Sequence, residues 1–270
     1  MPPRTKLLYQ TRSDLRNHLT KILSLTPVSS LPPADQSLLK EITPLDHALT
    51  TSSTIFYVQG GGQPTDTGVI STPTLKFEVN SVRHPAEGSA ILHFGRFVPN
   101  TPKGNDGFKI GEEVTLEIDG EKRDFHSRLH TAGHILGLAI NHLSREDKLP
   151  KLVESKASHY PNAASVEFVG NIPGSALGDI QKKVDEFVES KRKVEIHFWP
   201  MEKLRKECEG VDDSFTLPEG EELGRVVEMV GLGSYPCGGT HVGDCGGCGR
   251  IEVRKISRSK GVSRVSYRCD

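Results

Sequence analysis

Short apolar runs separated by glycine and proline dominate the chain from Ile55 to about residue 120. F-Y-V-Q-G-G-G-Q-P-T-D-T-G-V-I (56–70) reads as a short strand, a glycine turn and a return strand. L-K-F-E-V (75–79), A-I-L-H-F (90–94) and E-V-T-L-E-I-D (113–119) continue the strand rhythm. Residues 22–54 are rich in Ser, Thr, Pro and Leu with weak periodicity, which predicts an extended lead-in with one short strand. N-T-P-K-G-N-D-G (100–107) predicts a polar loop. Residues 1–120 therefore predict a small, barrel-like, all-β domain.

The pattern then changes period. In L-H-T-A-G-H-I-L-G-L-A-I-N-H-L, residues Leu129, Ala132, Leu136, Ala139 and Leu143 form a stripe at helical spacing. Gly133 and Gly137 inside that helix each cost about 1 kcal/mol against alanine, which predicts close approach by another segment. S-V-E-F-V (165–169) reads as a strand. Residues 177–191 read as a charged amphipathic helix with Ile180, Val184, Phe187 and Val188 inward. V-E-I-H-F-W ends in a strand stop at Pro200, and the strands 224–230, 249–256 and 262–268 follow, the last two joined by the turn S-R-S-K-G. Residues 121–270 thus predict an α+β domain whose helices pack on a mostly antiparallel sheet.

Composition narrows the setting. The chain has 270 residues, 35% hydrophobic and 26% charged, enough for one large or two ordinary domains, and its net charge of −1 supplies no global attraction to nucleic acid. It has no apolar run long enough for a membrane span and no signal-peptide pattern, so a cytoplasmic home is expected. Five cysteines, three of them crowded between 237 and 248, do not read as a secreted disulfide scaffold.

The chemistry lies in two compact pairs. His130 and His134 stand one helical turn apart, and P-C-G-G-T-H places Cys237 and His241 four apart in a glycine turn. Together they make a four-donor set suited to one zinc ion. Two alternatives stay open on the residues alone. Cys237, His241, Cys245 and Cys248 form a local knuckle, or Cys245 and Cys248 a redox C-x-x-C. The helix lacks the H-E-x-x-H of zinc proteases, and the chain lacks the deaminase pattern. The Ser158–His159 pair has no nucleophile elbow and is expected at the surface.

H-T-A-G-H-I-L (130–136), C-G-G-T-H-V (237–242), F-Y-V-Q-G-G-G-Q-P-T-D-T-G (56–68) and the closing S-K-G and V-S-R-V-S-Y-R resemble the freestanding alanyl-tRNA editing proteins. These are similar to the editing half of alanyl-tRNA synthetase and share an editing core with threonyl-tRNA synthetase. The likeness covers about residues 54–268. It implies one zinc on His130, His134, Cys237 and His241, and hydrolysis of a wrongly attached amino acid, chiefly serine but also glycine, from tRNA(Ala). It also implies a barrel-like first domain bearing the G-G-G-Q turn, no aminoacylation domain and no obligate protein partner. The departures are Cys245 with Gly246, Cys248, and a segment at 101–108 that looks inserted.

Under that resemblance the ester needs a placed water, excluded solvent and a stabilised oxyanion. Gln63 is expected to orient the water or the terminal ribose, with a simple turn-capping role as its alternative. Thr131 is expected to read the serine hydroxyl, with a core role as its alternative. Gly61 and Gly62, beside Gly60, admit the nucleotide end. Arg254, Lys255, Arg258 and Lys260, within a basic stretch that continues to Arg264 and Arg268, are expected on tRNA phosphates, or else they decorate a solvated hairpin. Arg128 and Arg123 are further candidates. A zinc-stabilised RNA-binding module without hydrolysis, or an editor of another mischarged tRNA, remain the other readings.

Overall fold

The structure is a computed structural model that describes residues 3–99, 107–218 and 220–270. The polar loop expected at 100–107 and the insertion at 101–108 lie almost wholly outside the described residues. The chain forms two compact units, Met1–Gly60 with Pro64–Arg123, and Gly61–Gln63 with Asp124–Asp270.

The first unit contains β1 (Lys6–Leu7), β2 (Asn17–Pro27), α1 (Pro33–Gln36), β3 (His47–Thr51), β4 (Ser53–Thr54), β5 (Gly68–Ser71), β6 (Lys76–Arg83), β7 (Leu92–Phe97) and β8 (Glu113–Ile118). Among the described residues, six strands close an antiparallel barrel in the order β2-β3-β7-β6-β5-β8. Alternation explains the inside: along Lys76–Val79 exposed and buried residues take turns, and Phe77 and Val79 join Ile22, Ile70 and Leu116 in the core. Register shifts between Ile22 and Ser24 and between Val79 and Ser81 mark bulges, which bend strands around a closing sheet.

Two expectations change here. The lead-in at 22–54 holds two barrel strands, β2 and β3, where one short strand was expected. Phe56–Val58 form no strand. They are a buried loop, held where the Tyr57 amide donates to Asp66 Oδ2 at 2.7 Å. Asp66 also takes the fully buried Arg123 guanidinium, whose Nε donates at 3.0 Å while a second nitrogen donates to the Ile55 carbonyl at 2.6 Å. Arg123 is 1% exposed and committed to this pair, so it is not available as the RNA contact expected of it.

The second unit is α+β. It contains α2 (Gly120–Arg145, whose first four residues belong to the first unit), β9 (Val153–Ser158), β10 (Ser165–Val169), α3 (Leu177–Glu189), β11 (Val194–Pro200), α4 (Met201–Glu207), β12 (Leu223–Met229), β13 (Gly233–Pro236), β14 (Ile251–Ser259) and β15 (Val262–Cys269). Two antiparallel sheets form, β14-β15-β10-β9 and β11-β12-β13. The predicted stripe of α2 is fully inside, with Leu129, Ala132, Leu136, Ala139 and Leu143 at 0–2% exposure. It packs with Ile180, Val184 and Phe187 of α3 and with Val166, Phe168 and Val265 of the sheet. Among the described residues, no helix is long and apolar enough to cross a membrane.

Candidate metal centre

The two donor pairs converge. The ligand atoms of His130, His134, Cys237 and His241 all lie within 4.8 Å of one another, and no other group of three or more His, Cys, Asp or Glu among the described residues is so arranged. Cys237 Sγ stands 3.5 Å from His130 Nε2 and 3.3 Å from His241 Nε2. Tetrahedral zinc bonded to sulfur and nitrogen would hold such atoms about 3.5 Å apart.

The hydrogen bonds around the rings decide which nitrogens carry lone pairs. His130 Nδ1 lies 2.7 Å from Gln63 Oε1, an atom that only accepts, so Nδ1 bears the proton and Nε2 is the free donor. Thr131 Oγ1 donates to the Ser127 carbonyl at 2.9 Å, so it accepts from His241 Nδ1 at 3.1 Å and frees His241 Nε2 in the same way. His134 Nδ1 is buried with no hydrogen-bond partner among the described residues. Burial holds His134 neutral, down to about 3, with His159 and Arg225 adding to the effect. Burial first, then neighbouring imidazoles, lower His130 and His241 as well. Burial raises the Cys237 thiol, opposed by Arg225 and the Gly239 amide. A buried setting that keeps three imidazoles neutral, with hydrogen bonds that direct lone pairs to one point, fits a divalent metal.

Gln63 comes from the first half of the chain yet belongs to the second unit. It is fully buried. Its Nε2 donates to Thr240 Oγ1 at 2.8 Å, and its Oε1 accepts from the Thr240 amide at 3.1 Å as well as from His130. Gln63 therefore clamps the C-G-G-T-H loop to a metal-donor histidine. Gly239 makes the clamp possible, since a Cβ there would sit 2.9 Å from Gln63 Oε1 and closer still to the His130 ring. Gly62 has φ +79°, and a Cβ would meet the Ala157 carbonyl at 2.6 Å. Gly61, also at positive φ, has open space beside it. Thr131 is fully buried, and its hydroxyl also accepts from the Val242 amide at 3.2 Å.

Two residues of this centre escaped sequence reasoning. His159, expected at the surface, is 1% exposed. Its ring stacks on His130 with centroids 4.2 Å apart, and its Nδ1 donates to Tyr267 Oη at 2.7 Å, which in turn donates to the Leu129 carbonyl at 2.9 Å. A Cβ on Gly133 would meet His159 Nδ1 at 2.5 Å and Tyr267 Oη at 2.6 Å, which identifies the close approach predicted for that glycine. Arg225 braces Cys237 from both sides: its carbonyl accepts the Cys237 amide at 3.0 Å, and its guanidinium donates to the Cys237 carbonyl.

The local alternatives are not assembled. Cys245 and Cys248 sit in the hydrophobic core on a short 3-10 turn, apart from the four-donor group. Burial pushes Cys245 up to about 11 and raises Cys248 as well, opposite to the shift that makes a redox C-x-x-C reactive. Of the basic candidates, Arg254 and Lys255 are exposed on β14. Arg258 donates to Asn171 Oδ1 at 2.9 Å, and Lys260 stands at the hairpin turn with φ +51°. Arg128 lies over the Phe125 ring at 5.6 Å and donates to the Asp270 carbonyl at 3.3 Å.

No family model matches the chain. Curated proteins do. The chain is 29% identical over 219 residues to the alanine–tRNA ligase of Acidothermus cellulolyticus, covering 78% of this chain and 23% of the relative. It is 29% identical over 222 residues to that of Thermotoga maritima, covering 79% and 24%. It is 30% identical over 243 residues to that of Stenotrophomonas maltophilia, covering 85% and 26%. The chain spans about a quarter of the length of these relatives. Over roughly four-fifths of its own length, it is similar to a part of the alanine–tRNA ligases.

Proposed function

We propose that the chain is a trans-editing hydrolase that removes a wrongly attached amino acid, chiefly serine and also glycine, from tRNA(Ala), with one zinc on His130, His134, Cys237 and His241. The observation that carries this reading is the convergence of four oriented donors in a chain similar to alanine–tRNA ligases. Zinc, when bound, supplies Lewis acidity and a fixed positive charge for an acyl-transfer reaction. The protein's own part is positional. Gln63 holds the His130 ring and the 237–241 loop in one geometry, and Thr131 does the same for His241. The burial of His130, His134, Gln63 and Thr131 limits bulk water on that side of the site, which an already labile ester requires if the reaction is to be selective. Gly61, with open space beside it, leaves room for the terminal nucleotide, and basic residues of the second unit, Arg128 among them, meet its phosphates.

The test is a panel of seryl, glycyl and alanyl esters on tRNA(Ala), and of seryl and threonyl esters on tRNA(Thr), with metal-replete protein. Ser-tRNA(Ala) should be deacylated and Ala-tRNA(Ala) spared. Chelation should stop the reaction, and zinc should restore it. Tight tRNA binding with no ester cleaved by zinc-loaded protein would leave a zinc-stabilised RNA-binding module instead. Preferential cleavage on tRNA(Thr) would assign another substrate.

A further inference from the structure

The second unit holds a cavity of about 390 Å³, lined by parts of β14 and β15, by Phe125 and Leu129 of α2, and by the β9–β10 connection. Four cations line it, Arg254, Lys255, Arg264 and Arg268, and among the described residues no Asp or Glu does. Local geometry explains the grouping. β15 alternates, so Arg264 and Arg268 face outward while Ser263, Val265, Tyr267 and Cys269 are buried. On β14 the pairing passes from Val253 opposite Tyr267 to Lys255 opposite Ser266, which leaves Arg254 in a bulge. A regular strand would send Arg254 and Lys255 to opposite faces, whereas the bulge leaves both exposed.

The four cations are unequally engaged. Arg264 Nε donates to Ser165 Oγ at 2.9 Å, and Arg268 Nε to Glu252 Oε2 at 2.6 Å. The side chains of Arg254 and Lys255 make no ion pair or hydrogen bond among the described residues. Arg268 is balanced by Glu252, and the three remaining like charges around one concavity repel one another, a repulsion that an entering anion relieves. Phe125 adds a half-buried ring with the Arg128 guanidinium over it. Cations beside an aromatic ring make the combination that takes a backbone phosphate and stacks its base. Tyr267 and Leu129 line this cavity and also anchor His159, which stacks on His130, so the cavity shares a wall with the metal centre.

We propose that this cavity binds one nucleotide of single-stranded RNA, its phosphate among Arg254, Lys255, Arg264 and Arg268 and its base against Phe125. The choice of RNA rests on the deacylase reading, under which the nucleotide belongs to the 3′ end just before the aminoacylated ribose. The cavity also divides the basic stretch. Arg254 and Lys255 join it, while Arg258 is tied to Asn171 and Lys260 caps the hairpin.

Binding of uncharged tRNA at several salt concentrations tests the proposal on the full chain. The variants are R254A/K255A, R264A/R268A and F125A, with K182A/K206A as a charge-matched control and metal content as the check on folding. Each cavity double variant should bind at least tenfold more weakly and lose about 0.7 from the salt slope per broken phosphate contact. F125A should weaken binding and keep the slope. On Ser-tRNA(Ala), kcat/KM should fall at least tenfold more than on seryl-adenosine, which has no preceding phosphate. Affinity and slope equal to those of the control would overturn the proposal. So would displacement of a short single-stranded oligonucleotide by inorganic phosphate at equal concentration, since that describes a bare anion site. If wild type cleaves neither ester but the cavity variants still lose tRNA, the deacylase reading fails and the RNA cavity stands.

Discussion

Both units bury polar side chains, and they differ in what those side chains do with their lone pairs. In the barrel the groups close on each other. His93 Nδ1 donates to the Leu49 carbonyl at 3.1 Å, its Nε2 accepts from Thr54 at 2.8 Å, and Asp66 receives Arg123. In the second unit Gln63 and Thr131 occupy the protonated faces of His130 and His241, and the opposite faces converge with Cys237 and His134 on one point. A closed network is complete without a ligand and serves stability. A network satisfied on its outer side and convergent on its inner side is what a bound cation would complete.

The largest test of that contrast is substitution of a donor on each side. Cys237→Ala or His134→Ala should abolish stoichiometric zinc by elemental analysis and reduce deacylation below detection. His93→Gln and Cys248→Ala should keep the metal. Loss of zinc in Cys248→Ala with retention in His134→Ala would break the comparison and restore the local knuckle.

Next in size is the closed pair itself. Arg123→Met leaves Asp66 buried and unpaired, and should destabilise the barrel by about 3–5 kcal/mol in urea unfolding. Zinc per folded molecule should stay at one. Unchanged stability would mean that this pair is not the closed element described here.

Gln63 sharpens the boundary between the two kinds of network. Gln63→Ala should lower zinc affinity about 10–100-fold, the usual cost of removing a partner that orients a ligand. A competition titration with a chelator measures it. Wild-type affinity would limit Gln63 to capping its own turn.

The smallest effect is on pH. Burial, opposed by the carbonyls of Leu49 and Ile91, brings His93 down to about 4 from 6.5. Below pH 6.5 the unfolded chain takes up a proton that the folded barrel refuses. Its contribution is therefore complete above 6.5 and is lost as pH falls toward 4, at about 1.4 kcal/mol per unit. The difference in unfolding free energy between wild type and His93→Gln, measured from pH 7 to 5, should shrink accordingly. A difference independent of pH would show that His93 takes up its proton in the folded barrel as readily as in the unfolded chain.

Legibility in the sequence followed the range of each interaction. The stripe of α2 and the alternation of β6 are local periods, and the structure keeps both. The two donor pairs were legible for the same reason, as spacings of four. β2 was missed because its burial alternates in only part of its eleven residues, and its polar ones carry no period. Phe56–Val58 misled because an apolar run looks alike in a strand and in a buried loop, and the partner that decides, Asp66, is nine residues from Tyr57. His159 carried no signal. It is a lone histidine whose contact with His130 depends on the path of the β9–β10 hairpin. Arg225 is one alternate position of an ordinary strand, and only the pairing with β13 brings it to Cys237.

The assignment of residues 61–63 to the second unit has a consequence for heredity and for engineering. A gene fragment beginning near codon 120 would encode every metal donor and omit Gln63. Such a fragment would deliver the donors without their brace, so a transplant of this unit requires two cuts. A three-residue graft, Gly61–Gln63, has to travel with a passage that begins sixty codons later. Recombination that separates them would yield a protein that is spelled correctly at all four donors and assembled wrongly.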